Sequence, residues 1–383
     1  MDNVRDIKEI RGEIDTTDNE ILDLFLKRME LAREVAEYKN ANGLPILNKA
    51  REREILADVT KKSGDKNLYA HRFFSLMMDL SKAYQGEFIP PMTSTVETIR
   101  NSLLPAETTF PKYGTVACQG VEGAYSGEAA DLIFPCGDVM FMKSFDAVFD
   151  AVSDGIVSFG IVPLENSSGG SVRAVYDLLQ KHDVSIVRSQ KILVRHELLM
   201  KPGADPDKIE EIYSHEQAIV QCSKFLKRFG DKVKIIPAPN TAMAAKMVAE
   251  SENPNVASIS SHSCAQLYGL KTVNDNIANS ENNYTRFVCI TRKPQIFPGA
   301  NKISLILTTP HKPGALYDIL AKFSALGINL IKLESRPIPG HDFEFIFFLD
   351  IEASVNEPGV LSMISELEQT CGTFKFLGNY FET

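Results

Sequence analysis

The 383-residue sequence predicts a three-part fold. An all-α module lies at the front, a two-lobed α/β module in the middle, and an α+β, ferredoxin-like βαββαβ module at the back. Three observations predict it. Apolar residues recur at three- and four-residue steps between Ile7 and Lys39. From Thr115 to Thr291, short β-rich runs alternate with helical stretches. After Ile303 the order of runs becomes strand, helix, strand, strand, helix, strand.

The front module is assigned to residues 1–90. Ile7, Ile10, Ile14, Ile21, Leu24, Phe25, Leu31, Ala32 and Val35 form one stripe with charges between them, which predicts a single long amphipathic helix. Asn42-Gly43 and Pro45 end it. A second helix is expected from about Lys49 and a third from about Leu68 to Phe88. Four prolines with Ser and Thr between Ile89 and Pro111 predict an irregular linker, residues 91–111.

The middle module, residues 112–295, carries predicted strands at Thr115–Cys118, Ile156–Val162, Val184–Val187, Val233–Ile236, Val256–Ile259 and Phe287–Thr291. Predicted helices cover Glu128–Ile133, Ser144–Ser153, Val172–Gln180 and Glu216–Phe229, and Asn240-Thr241-Ala242 opens another. Its length suits two lobes with a cleft between them. The back module, residues 301–383, has strands expected at Ile303–Thr308, Ile328–Leu333, Phe343–Ile351 and Thr373–Leu377, and helices at Gly314–Ala325 and Val360–Thr370.

Composition narrows the class of function. A formal charge of -9 argues against a general nucleic-acid binder, and any anionic substrate needs a local cluster of Lys and Arg. Residues Met1 to Glu20 are charged and lack the apolar core of a signal peptide, and no run is long enough to span a membrane. The six cysteines are scattered without a C-x-x-C pair, and the seven histidines show no ligand spacing. These features predict a cytoplasmic, multidomain protein with reduced thiols and no metal site.

Polar residues on the front helices carry the first functional signal. Arg28 and Lys39 are eleven positions apart, which returns to nearly the same helix face roughly 16 Å away. Two long cations can then converge on one small dianion. Arg11 lies roughly 25 Å from Arg28 on another face, too far to serve the same site in one subunit. Arg51 and Glu52 open the second helix, and Ser81 and Gln85 are an i,i+4 pair on the third. With Ile10-Arg11, Lys27-Arg28-Met29-Glu30-Leu31-Ala32, Val35 with Lys39, Pro45-Ile46 and Arg51-Glu52-Arg53, the region resembles the helical chorismate mutases. The resemblance implies an intertwined dimer that rearranges chorismate to prephenate, with no covalent intermediate and no cofactor. It implies Arg11 of the partner subunit, Arg28 and Arg51 on carboxylates, Lys39 and Gln85 on the ether oxygen, and Glu52 on the substrate hydroxyl, with Ser81 in the same site. Asn48 is a departure, standing where an acidic residue is common in that family.

In the middle module, polar groups gather at strand ends and helix starts, as a cleft site requires. Gly120-Val121-Glu122-Gly123-Ala124-Tyr125-Ser126-Gly127 follows a strand and opens a helix, an arrangement suited to anions. It is not G-x-G-x-x-G, which disfavours a dinucleotide-dependent oxidoreductase. Further motifs are Glu165-Asn166-Ser167, Ser214-His215-Glu216-Gln217-Ala218 with Gln221, and Asn283-Tyr284-Thr285-Arg286-Phe287. Together they resemble the prephenate dehydratases, with Glu216 standing where proline is frequent. The resemblance implies that Thr285 acts on the departing hydroxyl, that Arg286 binds a carboxylate, and that Asn166, Ser214 and Gln221 position polar groups.

At the back, His311-Lys312-Pro313-Gly314-Ala315-Leu316 and Glu334-Ser335-Arg336-Pro337 resemble the ACT domains attached to dehydratases. That implies L-phenylalanine bound by Gly314, Ala315, Leu316, Glu334, Ser335, Arg336 and Pro337 where two such domains pair, with feedback inhibition. As a whole the chain resembles the bifunctional chorismate mutase–prephenate dehydratases. The expectation is an isomerase and a lyase of phenylalanine biosynthesis in one homo-oligomer, dimer or tetramer. Its ligands would be chorismate, prephenate and L-phenylalanine, without nucleic acid or membrane partners. A binding protein that has lost catalysis is the rival reading, and the presence of Arg28, Lys39, Thr285 and Arg286 argues against it.

Overall fold

A computed structural model describes residues 5–338 and 345–383. The chain divides into two compact units, one of residues 1–101 and 305–376, the other of residues 102–304 and 377–383. Among the described residues no helix is long and apolar enough to cross a membrane.

The first unit opens with three helices, α1 (Ile7–Ala41), α2 (Lys49–Lys62) and α3 (Asn67–Gln85). The Asp6 side chain caps α1 by accepting from the Lys8 N–H, and Asn48 caps α2 by accepting from the Arg51 N–H. Burial in this bundle is uneven. Ala32 and Ala36 of α1 are buried, as are Met77, Met78, Ser81 and Gln85 of α3, while Ile7, Ile14, Ile21 and Leu24 are each 45% or more exposed. The front half of α1 therefore presents an apolar stripe to solvent.

The expected linker contains an element of its own, α4 (Ser94–Ser102). Prolines at 90, 91 and 105 flank it without entering it, and Val96 and Ile99 are buried on its inner face. Loop composition at both ends hid a helix that packing sustains.

The second unit follows with β1 (Thr115–Gln119), α5 (Tyr125–Ile133), β2 (Asp138–Met142), α6 (Phe145–Ser153), β3 (Phe159–Asn166), β4 (Gly170–Ser171), α7 (Arg173–Lys181) and β5 (Ser185–Leu193). The chain then builds a second sheet from β6 (Glu197–Met200), β7 (Glu211–Ser214), β8 (Lys234–Pro237), β9 (Val256–Ser260) and β10 (Lys271–Asn274). Between these strands lie α8 (Glu216–Gln221), α9 (Ser223–Leu226), α10 (Thr241–Glu250) and α11 (His262–Leu267), and β11 (Tyr284–Thr291) returns to the first sheet. The strand orders are β2-β1-β3-β11-β5 and β10-β6-β9-β7-β8. Each sheet has its own core, Val116, Ile161, Val187 and Phe287 in one and Leu198, Ile212, Ala257 and Ile259 in the other.

Two local departures have physical causes. The strand expected from Ile156 begins at Phe159, because Gly155 turns the chain at φ 74° and leaves Ile156 exposed. The single helix expected over Glu216–Phe229 breaks after Gln221. The Asn279 side chain inserts there, donating to the Val220 carbonyl at 3.1 Å and accepting from the Lys224 N–H at 3.0 Å, and so interrupts the helical ladder.

The remaining elements are β12 (Lys302–Thr308), α12 (Ala315–Ala325), β13 (Asn329–Pro337), β14 (Phe345–Glu352), α13 (Val360–Thr370) and β15 (Phe374–Glu382). Their order is βαββαβ, and the strands lie β13-β14-β12-β15, with β13 antiparallel to β14. The expected strand start at Phe343 falls outside the described residues. The division between the units falls within β12 and β15, so Leu377–Thr383 belong with the second unit, where β15 pairs in parallel with β5.

Gly378 lies against that pairing. A Cβ there would meet the Ile186 carbonyl oxygen at 2.1 Å, whereas one at Gly12 on α1 would meet nothing within 4 Å. Gly378→Ala is expected to lower stability by about 1–3 kcal/mol. Gly12→Ala should be neutral or stabilising by up to about 1 kcal/mol. Thermal denaturation of the two variants beside the parent checks both.

Candidate active sites

The first site is a pocket of about 250 Å³ among α1, α2 and α3, lined by Arg28, Lys39, Asn48, Arg51, Glu52, Ser81, Lys82 and Gln85 with apolar walls. Each polar group is held. Arg28 donates through Nη1 to Ser81 Oγ and to the Met77 carbonyl at 3.3 Å. Ser81 Oγ donates in turn to the Met77 carbonyl at 2.8 Å. Lys39 Nζ donates to Gln85 Oε1 at 3.1 Å and to the Ile46 carbonyl at 2.6 Å. With Gln85 Oε1 engaged by Lys39, the same amide keeps Nε2 as a donor.

Burial lowers the pKa of Arg28 and of Lys39. For Lys39, nearby Glu52 opposes that shift and Lys82 adds to it. The pocket thus pairs a guanidinium with an ammonium that gives up its proton more readily than a lysine in water. Asn48 lines the pocket as a helix cap, with Oδ1 on the Arg51 N–H at 3.1 Å. The Arg51 guanidinium reaches Glu54 at 3.1 Å, and Arg11 is exposed on the front half of α1, away from this pocket.

The second site is an amide network where the chain passes between the two sheets. Asn166, at the end of β3, accepts at Oδ1 from the N–H groups of Ser168 (3.0 Å) and Gly169 (2.7 Å). Two backbone donors on Oδ1 fix the amide, so Nδ2 donates to Asn283 Oδ1 at 2.8 Å and to Thr285 Oγ1 at 2.9 Å. Asn283 Nδ2 donates to Gln221 Oε1 at 3.1 Å, and Gln221 Nε2 reaches Asn166 Oδ1 at 3.4 Å. His196 closes the network with Nε2 at 2.8 Å from Gln221 Oε1. Since that oxygen only accepts, His196 carries its proton on Nε2. Burial lowers the His196 pKa, against an opposing contribution from Gln221.

Because Thr285 Oγ1 accepts from Asn166, its own hydrogen is available to donate. The Thr285 side chain is nearly buried, and Gly169 comes so close to the Gln217 amide that a Cβ would lie 1.8 Å from it. A hydroxyl donor held in place by an amide suits stabilisation of a departing oxygen.

Two motif residues lie elsewhere. Ser214 is fully buried at the end of β7 and donates to the Ile259 carbonyl at 2.8 Å. Arg286, 4% exposed, holds protein carboxylates, with Nε at 2.7 Å from Glu165 and Nη1 at 3.7 Å from Glu382. Burial pushes the Glu382 carboxyl up, but Lys191, Lys302 and Arg286 outweigh it and bring the pKa to about 2. His215 caps α8 by accepting from the Gln217 N–H. In the Gly120–Gly127 turn, Ser126 donates to the Gln119 carbonyl and Tyr125 to the Arg195 carbonyl. His196 belongs to no motif noted in the sequence. The signal that could have found it is the polar run Arg195-His196-Glu197 interrupting two apolar strands.

Comparison with known proteins decides the family. The chorismate mutase type II profile matches residues 10–86 and the prephenate dehydratase profile residues 116–295. The bifunctional chorismate mutase/prephenate dehydratase of Enterobacter agglomerans is 32% identical, over 97% of this chain and 95% of its own length. The chain belongs to the bifunctional chorismate mutase/prephenate dehydratase family. It is a two-activity enzyme of phenylalanine biosynthesis, an isomerase in its helical module and a lyase in its α/β module.

Solved structures agree with the α/β assignment. The prephenate dehydratase of Arthrobacter aurescens, in complex with L-Phe, has a TM-score of 0.63 at 25% identity and covers 70% of this chain and 89% of its own. GqqA, described as a novel type of quorum-quenching acylase, has a TM-score of 0.64 at 28% identity, covering 70% of this chain and 98% of its own.

The buried His196 of the dehydratase domain yields a prediction about acid. With its folded pKa below the ordinary 6.5, the unfolded chain binds the extra proton first as pH falls. His196 therefore costs no stability above that range and destabilises the fold as pH drops through it. Denaturation followed between pH 7.5 and 5 should show this loss, and His196→Gln should flatten it.

Proposed function

We propose that the pocket among α1, α2 and α3 holds chorismate for its rearrangement to prephenate. The step is pericyclic: the ether C–O bond breaks as a C–C bond forms, without a covalent enzyme intermediate. The site has to fix a compact conformer and stabilise negative charge growing on the ether oxygen. In this reading Lys39 Nζ and Gln85 Nε2 donate to that oxygen, and the Lys39–Gln85 hydrogen bond is the observation that carries the assignment. Arg28, steadied by Ser81, and Arg51 bind carboxylates, while Glu52 accepts from the hydroxyl. Asn48 sets the start of α2 and so the place of Arg51. The exposed apolar stripe on the front half of α1 supports a dimer in which a second copy covers it and Arg11 of the partner subunit enters the pocket.

We propose further that the Asn166–Thr285–Gln221 network with Asn283 and His196 is the dehydratase centre. Prephenate loses CO₂ as its C–C pair moves into the ring, and the ring expels hydroxide, which takes a proton and leaves as water. Thr285, whose oxygen Asn166 already holds, donates to the departing hydroxyl. Aromatisation supplies the driving force, so a weak donor in the right place suffices. Ser214 and Arg286 support this centre from behind, Ser214 at the end of β7 and Arg286 through its ion pair with Glu165.

The βαββαβ residues are read as an ACT domain that binds L-phenylalanine at Gly314–Leu316 and Glu334–Pro337, supported by the L-Phe in the Arthrobacter aurescens structure. Gly314 takes φ 84° at the start of α12, and β13 is an edge strand with Ile331 and Leu333 exposed, which suits pairing with a second copy. Inhibition follows if the amino acid binds a less active state more tightly.

Assays supplied with chorismate and, separately, with prephenate test these roles. Lys39→Ala should lower mutase turnover about 10²-fold or more while prephenate is still consumed. Thr285→Ala should abolish phenylpyruvate formation with mutase intact, and Thr285→Ser should retain part of it. L-Phenylalanine should slow phenylpyruvate formation in the parent; unchanged rates would remove the regulatory reading.

A further inference from the structure

Lys82 lines the mutase pocket next to Ser81, yet belongs to none of the motifs that carry the family resemblance. Its Nζ lies 3.0 Å from Glu52, 3.0 Å from Asp79 and 2.9 Å from Glu366. Glu366 sits on α13 and also accepts from Lys322 of α12. The cluster is largely buried, with side-chain exposures of 10% for Lys82, 16% for Glu366 and 27% for Glu52. Burial pushes Lys82 toward neutrality, but Glu366, Asp79 and Glu52 outweigh it and raise its pKa. Burial raises Glu366, and Lys322 and Lys82 reverse that and hold it below the usual carboxylate range. Lys82 and Glu366 are therefore both charged at neutral pH.

We infer that Glu366 is a positioning residue for the mutase reaction, acting through Lys82 on Glu52 and Lys39. The inference rests on the reading of this pocket as the mutase site. The charged groups facing it are Arg28 and Lys39 from α1, Arg51 and Glu52 from α2, Asp79 and Lys82 from α3, Lys322 from α12 and Glu366 from α13. Two ammonium groups, Lys82 and Lys322, meet three carboxylates, and Lys39 balances the remaining negative charge.

Removing the Glu366 charge has two consequences. Lys82 turns more strongly to Glu52 and draws that carboxylate from the substrate hydroxyl. The surplus positive charge beside Lys39 lowers its pKa further, so the ammonium that donates to the ether oxygen is lost at lower pH.

The test uses the full chain and compares mutase and dehydratase turnover in the parent, Lys39→Ala, Glu366→Gln, Lys82→Met and the double variant Glu366→Gln/Lys82→Met. Glu366→Gln should lower mutase kcat/KM about tenfold and move the alkaline limb of its pH profile to lower pH. Dehydratase turnover on the same chain should stay at the parent level, which also reports folding. In the Lys82→Met background Glu366→Gln should add little. Parent-like mutase activity and an unmoved alkaline limb in Glu366→Gln, or additive losses in the double variant, would overturn the inference. If Lys39→Ala keeps its turnover, the pocket assignment itself fails; if Lys39→Ala fails and Glu366→Gln does not, only the role of Glu366 is lost.

Discussion

The register of β11 between β3 and β5 is the constraint on which the dehydratase domain depends. Antiparallel pairing sets Thr285 opposite Asn166 and Arg286 opposite Glu165. Because successive side chains point to opposite faces, a slip of one residue would exchange the hydroxyl for the guanidinium. The ion pair between Arg286 and Glu165 and the hydrogen bond between Asn166 and Thr285 lock the same register from the two faces. The amide network can close only with that register in place, since Asn283 enters it just before β11 and Gln221 joins it from the end of α8.

The two sites solve different electrostatic problems in one acidic chain. The pocket proposed for the mutase step gathers cations, and burial lowers the pKa of two of them, Arg28 and Lys39. The network proposed as the dehydratase centre is built from neutral amides, an imidazole whose pKa burial lowers, and a hydroxyl. A pericyclic step that builds charge on an ether oxygen calls for the first. A decarboxylation in which the substrate supplies its own electron pair is served by the second.

Much of this was legible from local pattern. The three front helices, the alternating middle and the βαββαβ order follow from periodicity, and Lys39, Gln85, Asn166, Gln221 and Thr285 stand in motifs. What local pattern missed depends on distant partners. The helix at Ser94–Ser102 is hidden by flanking prolines, and the break after Gln221 comes from Asn279, more than fifty residues on. The same break helps present Gln221 to Asn166, with the Asn279 N–H on the Gln221 carbonyl. Ser214 and Arg286 sit inside motifs but serve hydrogen bonds and ion pairs within the protein, a distinction no spacing reveals. Lys82 and Glu366 lie in unremarkable helical stretches and acquire meaning only when folding brings α3 and α13 together.

The Glu382 cluster has a bearing on how the protein is made. Lys191, Lys302 and Arg286 converge on one carboxylate that leaves the ribosome after all three. Until β15 is made and pairs with β5, Arg286 has Glu165 beside it, Lys191 and Lys302 lack Glu382, and β5 keeps an open strand edge. The strand β11 that carries Arg286 therefore reaches its final electrostatic environment only after β15 has been synthesised and has paired with β5.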